Sequence, residues 1–151
     1  MRLVIQRVQQ AHVTVDDKLV GEIGRGMLVF LGVGKEDTQQ DADDLVNKIV
    51  QLRIFDDPQG KMNLSSIETD AEFLVVSQFT LYGDCEKGRR PSFDKAADPQ
   101  KGEGLYNYFV TQLRRENRKV ETGQFRARMD VALINDGPVT LVLSSQRENK
   151  L

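Results

Sequence analysis

The chain has 151 residues, of which 39% are hydrophobic and 29% charged, and its formal charge is −2. This composition is typical of a globular domain and excludes collagen-like, low-complexity and disordered chains. No apolar run approaches the roughly 18 residues of a membrane span, and the first residues lack the apolar core of a signal peptide. We expect one domain over residues 1–151, located in the cytoplasm, whose reducing conditions suit a chain with a single cysteine.

Alternating apolar and polar residues predict strands in the first part of the chain. The segments Arg2–Val8 and Ala11–Val15 both show the period of two that a half-buried strand requires. Asp16–Lys18 is typical of a turn, and Leu19–Ile23 follows it as another strand. The continuous apolar run Met27–Val33 has strand length and lies between glycines, which indicates a strand buried on both faces.

Two principal helices are predicted. The first begins after Thr38, a favourable N-cap, with Asp41 at the third helical position, and its apolar spacing ends near Leu52. The second begins near Asp98 and Pro99, because proline is favoured at the first helical position. Its predicted buried stripe consists of Leu105, Tyr106, Phe109, Val110 and Leu113.

The other strands are predicted at Glu72–Tyr82, Lys119–Glu121, Arg128–Ile134 and Val139–Ser144, with Asn135–Pro138 as a turn between the last two. Many strands and two principal helices, without regular alternation of the two, favour an α+β fold. We expect a mostly antiparallel, curved or barrel-like sheet in a single domain.

The sequence lacks the motifs of nucleotide-dependent and zinc enzymes. One histidine, His12, and one cysteine, Cys85, cannot supply the usual ligands of a zinc site, so we expect neither metal nor cofactor. The alternating pattern around His12 is typical of a surface or structural histidine. The alternative is a thiol enzyme that pairs His12 with Cys85, although nothing in the sequence places the two together.

Two local clusters of basic residues stand out against the near-neutral overall charge. They are typical of solvated charge at a loop and at a helix end, and they are also the type of patch that binds nucleic-acid phosphates. The first contains Lys87, Arg89 and Arg90, and the second contains Arg114 and Arg115 with Arg118 and Lys119.

The segment Ser77–Leu81 is a candidate site. On a continuous strand, Gln78 and Thr80 would share a face with the apolar Leu74 and Val76, so that the face becomes polar at the end of the strand. That layout is common in binding sites, although a strand that simply reaches solvent shows it too. For the segment 135–140, turn chemistry alone explains the Asn, Asp, Gly and Pro residues.

These two segments, SQFTL at Ser77–Leu81 and NDGPVT at Asn135–Thr140, resemble the two signature motifs of D-aminoacyl-tRNA deacylases. The first 33 residues, QLRIF at Gln51–Phe55 and GRRPSF at Gly88–Phe93 are also similar to that family. The resemblance therefore extends over nearly the whole chain, and its two motifs occur in the family's order.

The resemblance implies an enzyme that hydrolyses the ester joining a D-amino acid, or glycine, to the terminal ribose of tRNA, and that rejects L-aminoacyl-tRNA. It implies a homodimer with active sites at the interface and a cis Gly137–Pro138 bond that reaches into the partner's site. The residues implied in catalysis are Ser77, Gln78, Phe79 and Thr80. Those implied in substrate binding and chiral selection are Gly137, Pro138, Arg7, Asn135 and Thr140, with Arg7 bracing the second motif.

An aminoacyl ester is already activated, so its hydrolysis requires a placed water and donors for the developing oxyanion. Backbone N–H groups around Phe79 and Thr80 are candidates for those donors. Direct attack by the Thr80 hydroxyl is the alternative, and it would require an adjacent base that the sequence does not show. A rival of another class is a non-catalytic RNA-binding module that uses the two basic clusters.

Overall fold

The computed structural model describes residues 1–116 and 119–146, so Arg118 of the second basic cluster lies outside the described residues. The strands are β1 (Arg2–Val15), β2 (Lys18–Ile23), β3 (Gly26–Gly32), β4 (Phe55–Asp56), β5 (Met62–Leu64), β6 (Glu72–Ser77), β7 (Val120–Thr122) and β8 (Asp130–Ser144). The helices are α1 (Gln39–Gln51), α2 (Ser66–Thr69) and α3 (Pro99–Glu116), with a 3₁₀ helix at Phe79–Tyr82. None of the helices in these ranges is long and apolar enough to cross a membrane.

Strand β1 organises the main sheet. It pairs antiparallel with β8 along nearly its whole length, and on its other edge with β3 in its first half and β2 in its second half. Strands β6 and β7 extend the sheet from β3 in parallel. At Gly21 of β2, a Cβ atom would collide with the carbonyl oxygen of Thr122 in β7, so the sheet curls until its two ends meet. The α+β prediction with a mostly antiparallel, barrel-like sheet is confirmed.

The segments predicted as two strands at Arg2–Val8 and Ala11–Val15 form the single strand β1. The turn after it is where the sequence placed it. Asp16 and Asp17 both have positive φ, 49° and 62°, and Val15 pairs with Lys18 across the turn. Two successive left-handed residues are the geometry of a tight hairpin, and aspartate tolerates it better than most side chains.

The central strand β3 is buried on both faces, as predicted. Met27, Val29 and Leu31 face the helices α1 and α3, whereas Leu28 packs with Leu74 inside the curl of the sheet. The sheet therefore separates two apolar clusters. One lies under the helices and the other inside the barrel.

Both principal helices begin where they were predicted. Thr38 and Asp41 form a capping box at the start of α1, and α3 begins at Pro99. The predicted stripe of α3 is buried in full: Leu105, Tyr106, Phe109, Val110 and Leu113. The short helix α2 was not predicted, although its capping box of Ser65 and Glu68 is visible in the sequence as Ser-x-x-Glu.

Two predicted strand boundaries are wrong, and both lie at the candidate motifs. The strand predicted as Glu72–Tyr82 ends at Ser77, because the chain turns at Gln78 into the 3₁₀ helix, which packs over Gly32. The segment Asn135–Pro138 is not a turn between two strands, because β8 pairs with β1 on both sides of it.

The second motif is instead a bulge within β8. The register passes from Gln6 opposite Thr140 to Val8 opposite Asn135, so β1 advances two residues while β8 advances five. Residues 136–139 are left out of the ladder, and Gly137 and Pro138 among them are exposed. Such interruptions re-aim part of a strand without ending its pairing.

Candidate active site

A cleft of about 540 Å³ opens where β6 ends. Ser77, Gln78 and Phe79 form one wall, and Pro99 and Gly102 at the start of α3 form another. The remaining wall comes from the segment between β7 and β8, chiefly Phe125 and Met129. The first motif therefore lies in a concave site, on the last residue of a strand and the turn that follows it.

The 3₁₀ helix leaves backbone donors unused beside this cleft. The Leu81 N–H donates to the Gln78 carbonyl at 3.2 Å, and the Gly83 N–H donates to the Thr80 carbonyl at 2.9 Å. Within the part of the chain that the structure describes, the N–H groups of Phe79 and Thr80 have no acceptor. The first N–H groups of any helix lack intrahelical partners. Two adjacent donors are thus available to an oxygen atom of a bound molecule.

Gln78 and Thr80 do not share a face of a strand, because the strand has ended, but their side chains still meet. The Gln78 amide nitrogen donates to the Thr80 hydroxyl oxygen. The Phe79 side chain is 57% exposed, and its ring lies edge-on to that of Phe93 at 5.1 Å between centroids. An apolar ring pair therefore stands next to the polar pair at the rim of the cleft.

The second motif has a backbone that only glycine accommodates. The Gly137–Pro138 peptide bond is cis, and Gly137 has φ of +143°. A Cβ atom on Gly137 would lie 2.8 Å from the Cγ2 atom of Val139 and 3.3 Å from an Arg7 nitrogen. No side chain fits at this position without displacing its neighbours.

Asn135 and Thr140 hold the two ends of the bulge together. The Asn135 amide nitrogen donates to the Val139 carbonyl at 3.3 Å and to the Thr140 hydroxyl at 3.1 Å. The Val139 N–H donates back to the Asn135 side-chain oxygen at 2.8 Å. Gln6 of β1 donates to the same Thr140 hydroxyl at 3.3 Å. These bonds fix the shape of the bulge and explain an asparagine and a threonine at its ends.

Arg7 supports the bulge from beneath. Its side chain is buried, and its Nε donates to the Asp136 carbonyl at 2.9 Å while Nη1 donates to the Ile54 carbonyl at 2.7 Å. The carboxylates of Asp56 and Asp136 lie 3.2 and 3.5 Å from the guanidinium. A buried cation requires such partners, because its desolvation is otherwise costly.

The two motifs do not meet within one chain. Neither Gly137 nor Pro138 lines the cleft beside Gln78. Among the described residues, β8 pairs only with β1, so its outer edge is free, and Ile134 and Val142 on this strand are 46% and 74% exposed. The second motif thus lies on an open, partly apolar strand.

The predicted basic residues lie on the surface. Lys87, Arg89 and Arg90 are exposed in the loop that follows the 3₁₀ helix, and an antiparallel bridge between Asp84 and Ser92 closes that loop. At the end of α3, Arg115 is exposed, and Arg114 donates to the Val120 carbonyl at 3.3 and 3.4 Å.

His12 and Cys85 lie on different elements. His12 is in β1 opposite Glu22 and Ala132, and Cys85 is free and exposed in the loop after the 3₁₀ helix. No contact joins them in the ranges described. Within the same ranges, no group of three or more His, Cys, Asp or Glu side chains is arranged to hold a metal ion.

The sequence model of the family described as D-Tyr-tRNA(Tyr) deacylase matches residues 4–144. The chain belongs to this family. The resemblance carried by the two motifs is therefore confirmed, and the cleft and the bulge occupy the positions of those motifs.

Curated relatives match over nearly their whole length. A D-aminoacyl-tRNA deacylase of Thermosipho melanesiensis is 59% identical over 148 residues, covering 97% of this chain and 99% of the relative. A D-aminoacyl-tRNA deacylase of Thermotoga petrophila is 58% identical over 147 residues, with the same coverage.

Solved structures share the fold. The c-Myc DNA Unwinding Element Binding Protein superposes with a TM-score of 0.93 at 43% identity, covering 97% of this chain and 100% of that one. A probable eukaryotic D-amino acid tRNA deacylase superposes with a TM-score of 0.82 at 23% identity, covering 94% and 97%. The second likeness is one of fold alone.

Sequence reasoning missed the far wall of the cleft. Phe125 follows β7 in a segment for which no element was predicted, and Phe93 lies in a polar loop. Met129 belongs to the strand predicted as Arg128–Ile134, but it lies just before β8 begins at Asp130. The available signal was compositional, since large apolar residues in polar segments often mark a binding surface.

Proposed function

We propose that this chain hydrolyses the ester bond of D-aminoacyl-tRNA and releases free D-amino acid and tRNA. The observation that carries the proposal is the pair of unused N–H groups on Phe79 and Thr80, in the first family motif and beside a cleft. Curated relatives with more than half of their residues identical are named D-aminoacyl-tRNA deacylases. The reaction serves quality control in translation and takes place in the cytoplasm.

The chemistry that fits this site is direct attack by water. A water oxygen adds to the ester carbonyl carbon, and the carbonyl oxygen takes the negative charge, which the N–H groups of Phe79 and Thr80 stabilise. The bond to the ribose oxygen then breaks, and that oxygen leaves with a proton from the water. The neighbouring ribose hydroxyl orients the water, while Ser77 and Gln78 line the wall that positions the ester.

Attack by Thr80 itself is the less suitable route. Its hydroxyl oxygen accepts a hydrogen bond from the Gln78 amide, which is not a base. A threonine nucleophile needs a neighbouring base or a terminal amine to take its proton. None contacts Thr80 among the described residues, so Thr80 acts through its backbone N–H.

The separation of the two motifs supports a homodimer. A two-fold partner that covers the free edge of β8 would bury Ile134 and Val142 and satisfy the exposed edge of the sheet. In that arrangement, Gly137 and Pro138 of each subunit reach into the cleft of the other. Each active site then contains the first motif of one chain and the second motif of its partner.

Chiral selection follows from backbone exclusion. Proline fixes its own φ, and Arg7 and Asn135 hold the bulge, so the carbonyl groups around Gly137 have set directions. These carbonyls accept hydrogen bonds from the substrate's ammonium group. An L side chain would then point into the backbone and clash, whereas a D side chain points to solvent and glycine has none to exclude.

The exposed basic residues supply contacts to tRNA. Lys87, Arg89 and Arg90 lie in the loop that continues from the 3₁₀ helix, so phosphates near the end of a bound tRNA would come close to them. Arg114 and Arg115 lie at the far end of α3 and would contact phosphates farther along the tRNA.

The test is turnover. Protein at one hundredth of the concentration of D-tyrosyl-tRNA should release nearly all of the D-tyrosine, with L-tyrosyl-tRNA as the matched control. Tight binding of tRNA without release would contradict the proposal and favour the non-catalytic RNA-binding alternative.

A further inference from the structure

The 3₁₀ helix is held at its end by the second residue of the chain. Arg2 donates from Nη1 to the Leu81 carbonyl at 3.0 Å, and its guanidinium carbon lies 4.5 Å from the centre of the Tyr82 ring. A cation over an aromatic face is attractive, and the attraction grows when the pair is shielded from water. Tyr82 is 8% exposed, so the contact is largely shielded.

The Tyr82 hydroxyl is fixed in turn by a buried carboxylate. It donates to Oδ2 of Asp37 at 3.2 Å, and Asp37 is 2% exposed. The same carboxylate accepts from the Gly34 N–H at 2.6 Å and from the α-ammonium of Met1 at 2.5 Å. Burial, and then the charge of Asp37, raises the pKa of Tyr82 well above its ordinary value, so the hydroxyl remains a donor.

The Tyr82 ring also has a fitted surface beneath it. A Cβ atom on Gly34 would lie 2.8 Å from the Tyr82 Cζ atom and from its hydroxyl oxygen. The ring therefore lies directly on the Gly34 backbone. None of Arg2, Asp37 and Tyr82 lines the cleft.

We propose that Arg2, Asp37 and Tyr82 are positioning residues that hold the N–H groups of Phe79 and Thr80 in place for the ester oxygen. The proposal rests on the proposed function. Oxyanion donors are effective only when they are aimed before the reaction, and a misplacement of about 1 Å costs up to about a hundredfold in rate. The three residues fix the C-terminal end of a four-residue helix whose first two residues carry the donors.

The test compares two tyrosines that both donate to an aspartate. Tyr82→Phe removes the bond to Asp37 and keeps the ring. Tyr108→Phe removes a bond of 2.9 Å to Asp43, which joins α3 to α1 away from the 3₁₀ helix. We expect Tyr82→Phe to lower kcat for D-tyrosyl-tRNA about tenfold with KM within about twofold, and Tyr108→Phe to leave both unchanged. Thermal unfolding of both variants shows whether they are folded.

A second pair of variants tests the cation. Arg2→Gln should lower kcat as Tyr82→Phe does, and Arg2→Lys, which keeps the charge, should recover part of the loss. Hydrogen exchange of segment 78–83, measured without substrate, should be faster in Tyr82→Phe and Arg2→Gln than in the wild type.

Two results would overturn the proposal. One is a kcat within about twofold of wild type in both Tyr82→Phe and Arg2→Gln, and the other is an equal loss in Tyr108→Phe. If the wild type shows no turnover at all, the proposed function fails instead. Hydrogen exchange of segment 78–83 then still tests whether Arg2 and Tyr82 hold this segment in place. Unchanged exchange in Tyr82→Phe and Arg2→Gln would refute that role as well.

Discussion

Arg7 in the first strand and Asp136 in the last are joined by a hydrogen bond of 2.9 Å from the arginine Nε to the aspartate carbonyl oxygen. The bond spans 129 residues of sequence. It links the second family motif to the best-paired strand of the sheet, so the shape of the bulge depends on a side chain outside the motif.

Replacing Arg7 with Met should therefore destabilise the fold. The change leaves the carbonyls of Ile54 and Asp136 without their donor, and it keeps most of the apolar volume. The carboxylates of Asp56 and Asp136 are 52% and 29% exposed, so water screens their attraction to Arg7. The two lost ion pairs therefore contribute only a small part of the destabilisation. We expect the free energy of unfolding to fall by about 2–3 kcal/mol, as for buried hydrogen bonds to a charged group. Urea denaturation measures it.

The matched control is Arg53→Met. Arg53 also donates from Nε to a backbone carbonyl, that of Asn63 at 2.8 Å, but it is exposed. Its replacement should change the free energy of unfolding by no more than about 0.5 kcal/mol, as is usual for surface positions. Equal losses in the two variants would contradict the role given to Arg7.

Sequence reasoning succeeded where structure is locally determined. The buried stripe from Leu105 to Leu113 follows from helical periodicity, and Pro99 marks the start of that helix by its own ring chemistry. The same reasoning failed at Gln78 and at Asn135. The chain turns at Gln78 because Gly32, in another strand, leaves space for the 3₁₀ helix. Asn135 lies in a bulge because β1 continues unbroken beside it.

The residue pattern alone singled out Ser77–Leu81, whereas the second motif was linked to the candidate site only through the resemblance to the family. Turn chemistry explains Asn135 and Gly137 equally well in a hairpin and in a bulge, so local sequence does not choose between them. Phe125 and Met129 reach the cleft because β7 and β8 bring them there, which no local pattern reports. The three partners of Arg7 are likewise distant in sequence.

Self-association should be a property of the β8 edge. The protein at micromolar concentration should sediment as a species of twice the 17.1 kDa chain mass. Val142→Asp should dissociate it, because a charge would be buried without a partner at the interface. Leu19→Asp is the matched control, since Leu19 is also an exposed apolar strand residue, at 56%, but lies on β2. Dissociation by Leu19→Asp alone would place the interface elsewhere.

Catalysis should not depend on the thiol. Cys85→Ala should keep deacylation of D-tyrosyl-tRNA within about threefold of wild type, because attack by water uses no thiolate. A chelator should also have no effect. An alkylating reagent is then applied to the wild type and to Cys85→Ala. If it slows only the wild type while Cys85→Ala remains active, the added group blocks access and the thiol takes no part in the reaction. A loss beyond about a hundredfold in Cys85→Ala, the scale expected of a catalytic group, would refute direct attack by water.

The loop cations should act on tRNA binding and leave the chemical step intact. Replacing Lys87, Arg89 and Arg90 together with Gln should raise KM severalfold with kcat within about twofold, since their contacts are the same in the ground and transition states. The dependence of affinity on salt should also flatten, by up to about one unit of slope for each lost phosphate contact. Lys61→Gln, at an exposed lysine of the β4–β5 hairpin, is the control. An unchanged salt slope would place the RNA on another surface. The cluster that contains Arg114 and Arg115 would then be the next to be replaced and tested.

The sharpest prediction concerns chirality. If backbone around Gly137 excludes L substrates, deacylation should tolerate D-amino acids of very different size, because their side chains point away from the protein. Glycyl-tRNA should be cleaved as well, because it offers no side chain to exclude. Single-turnover deacylation of matched D-, L- and glycyl-tRNA measures all three. Efficient cleavage of the L ester would end this explanation.

Gly137→Ala tests the same backbone directly. The added Cβ would lie 2.8 Å from the Val139 Cγ2 atom, so the bulge would have to shift and the carbonyls proposed to bind the substrate's ammonium group would be re-aimed. Rates on D- and glycyl-tRNA should both fall, by up to about a hundredfold if the reacting ester moves by about 1 Å. Gly60→Ala is the matched control: Gly60 also has a positive φ, 78°, but nothing lies within 4 Å of its added Cβ. Gly60→Ala therefore carries the cost of placing alanine at a positive φ, about 1–2 kcal/mol, without a steric collision. Equal activity in Gly137→Ala and Gly60→Ala would show that the bulge is not the chiral filter.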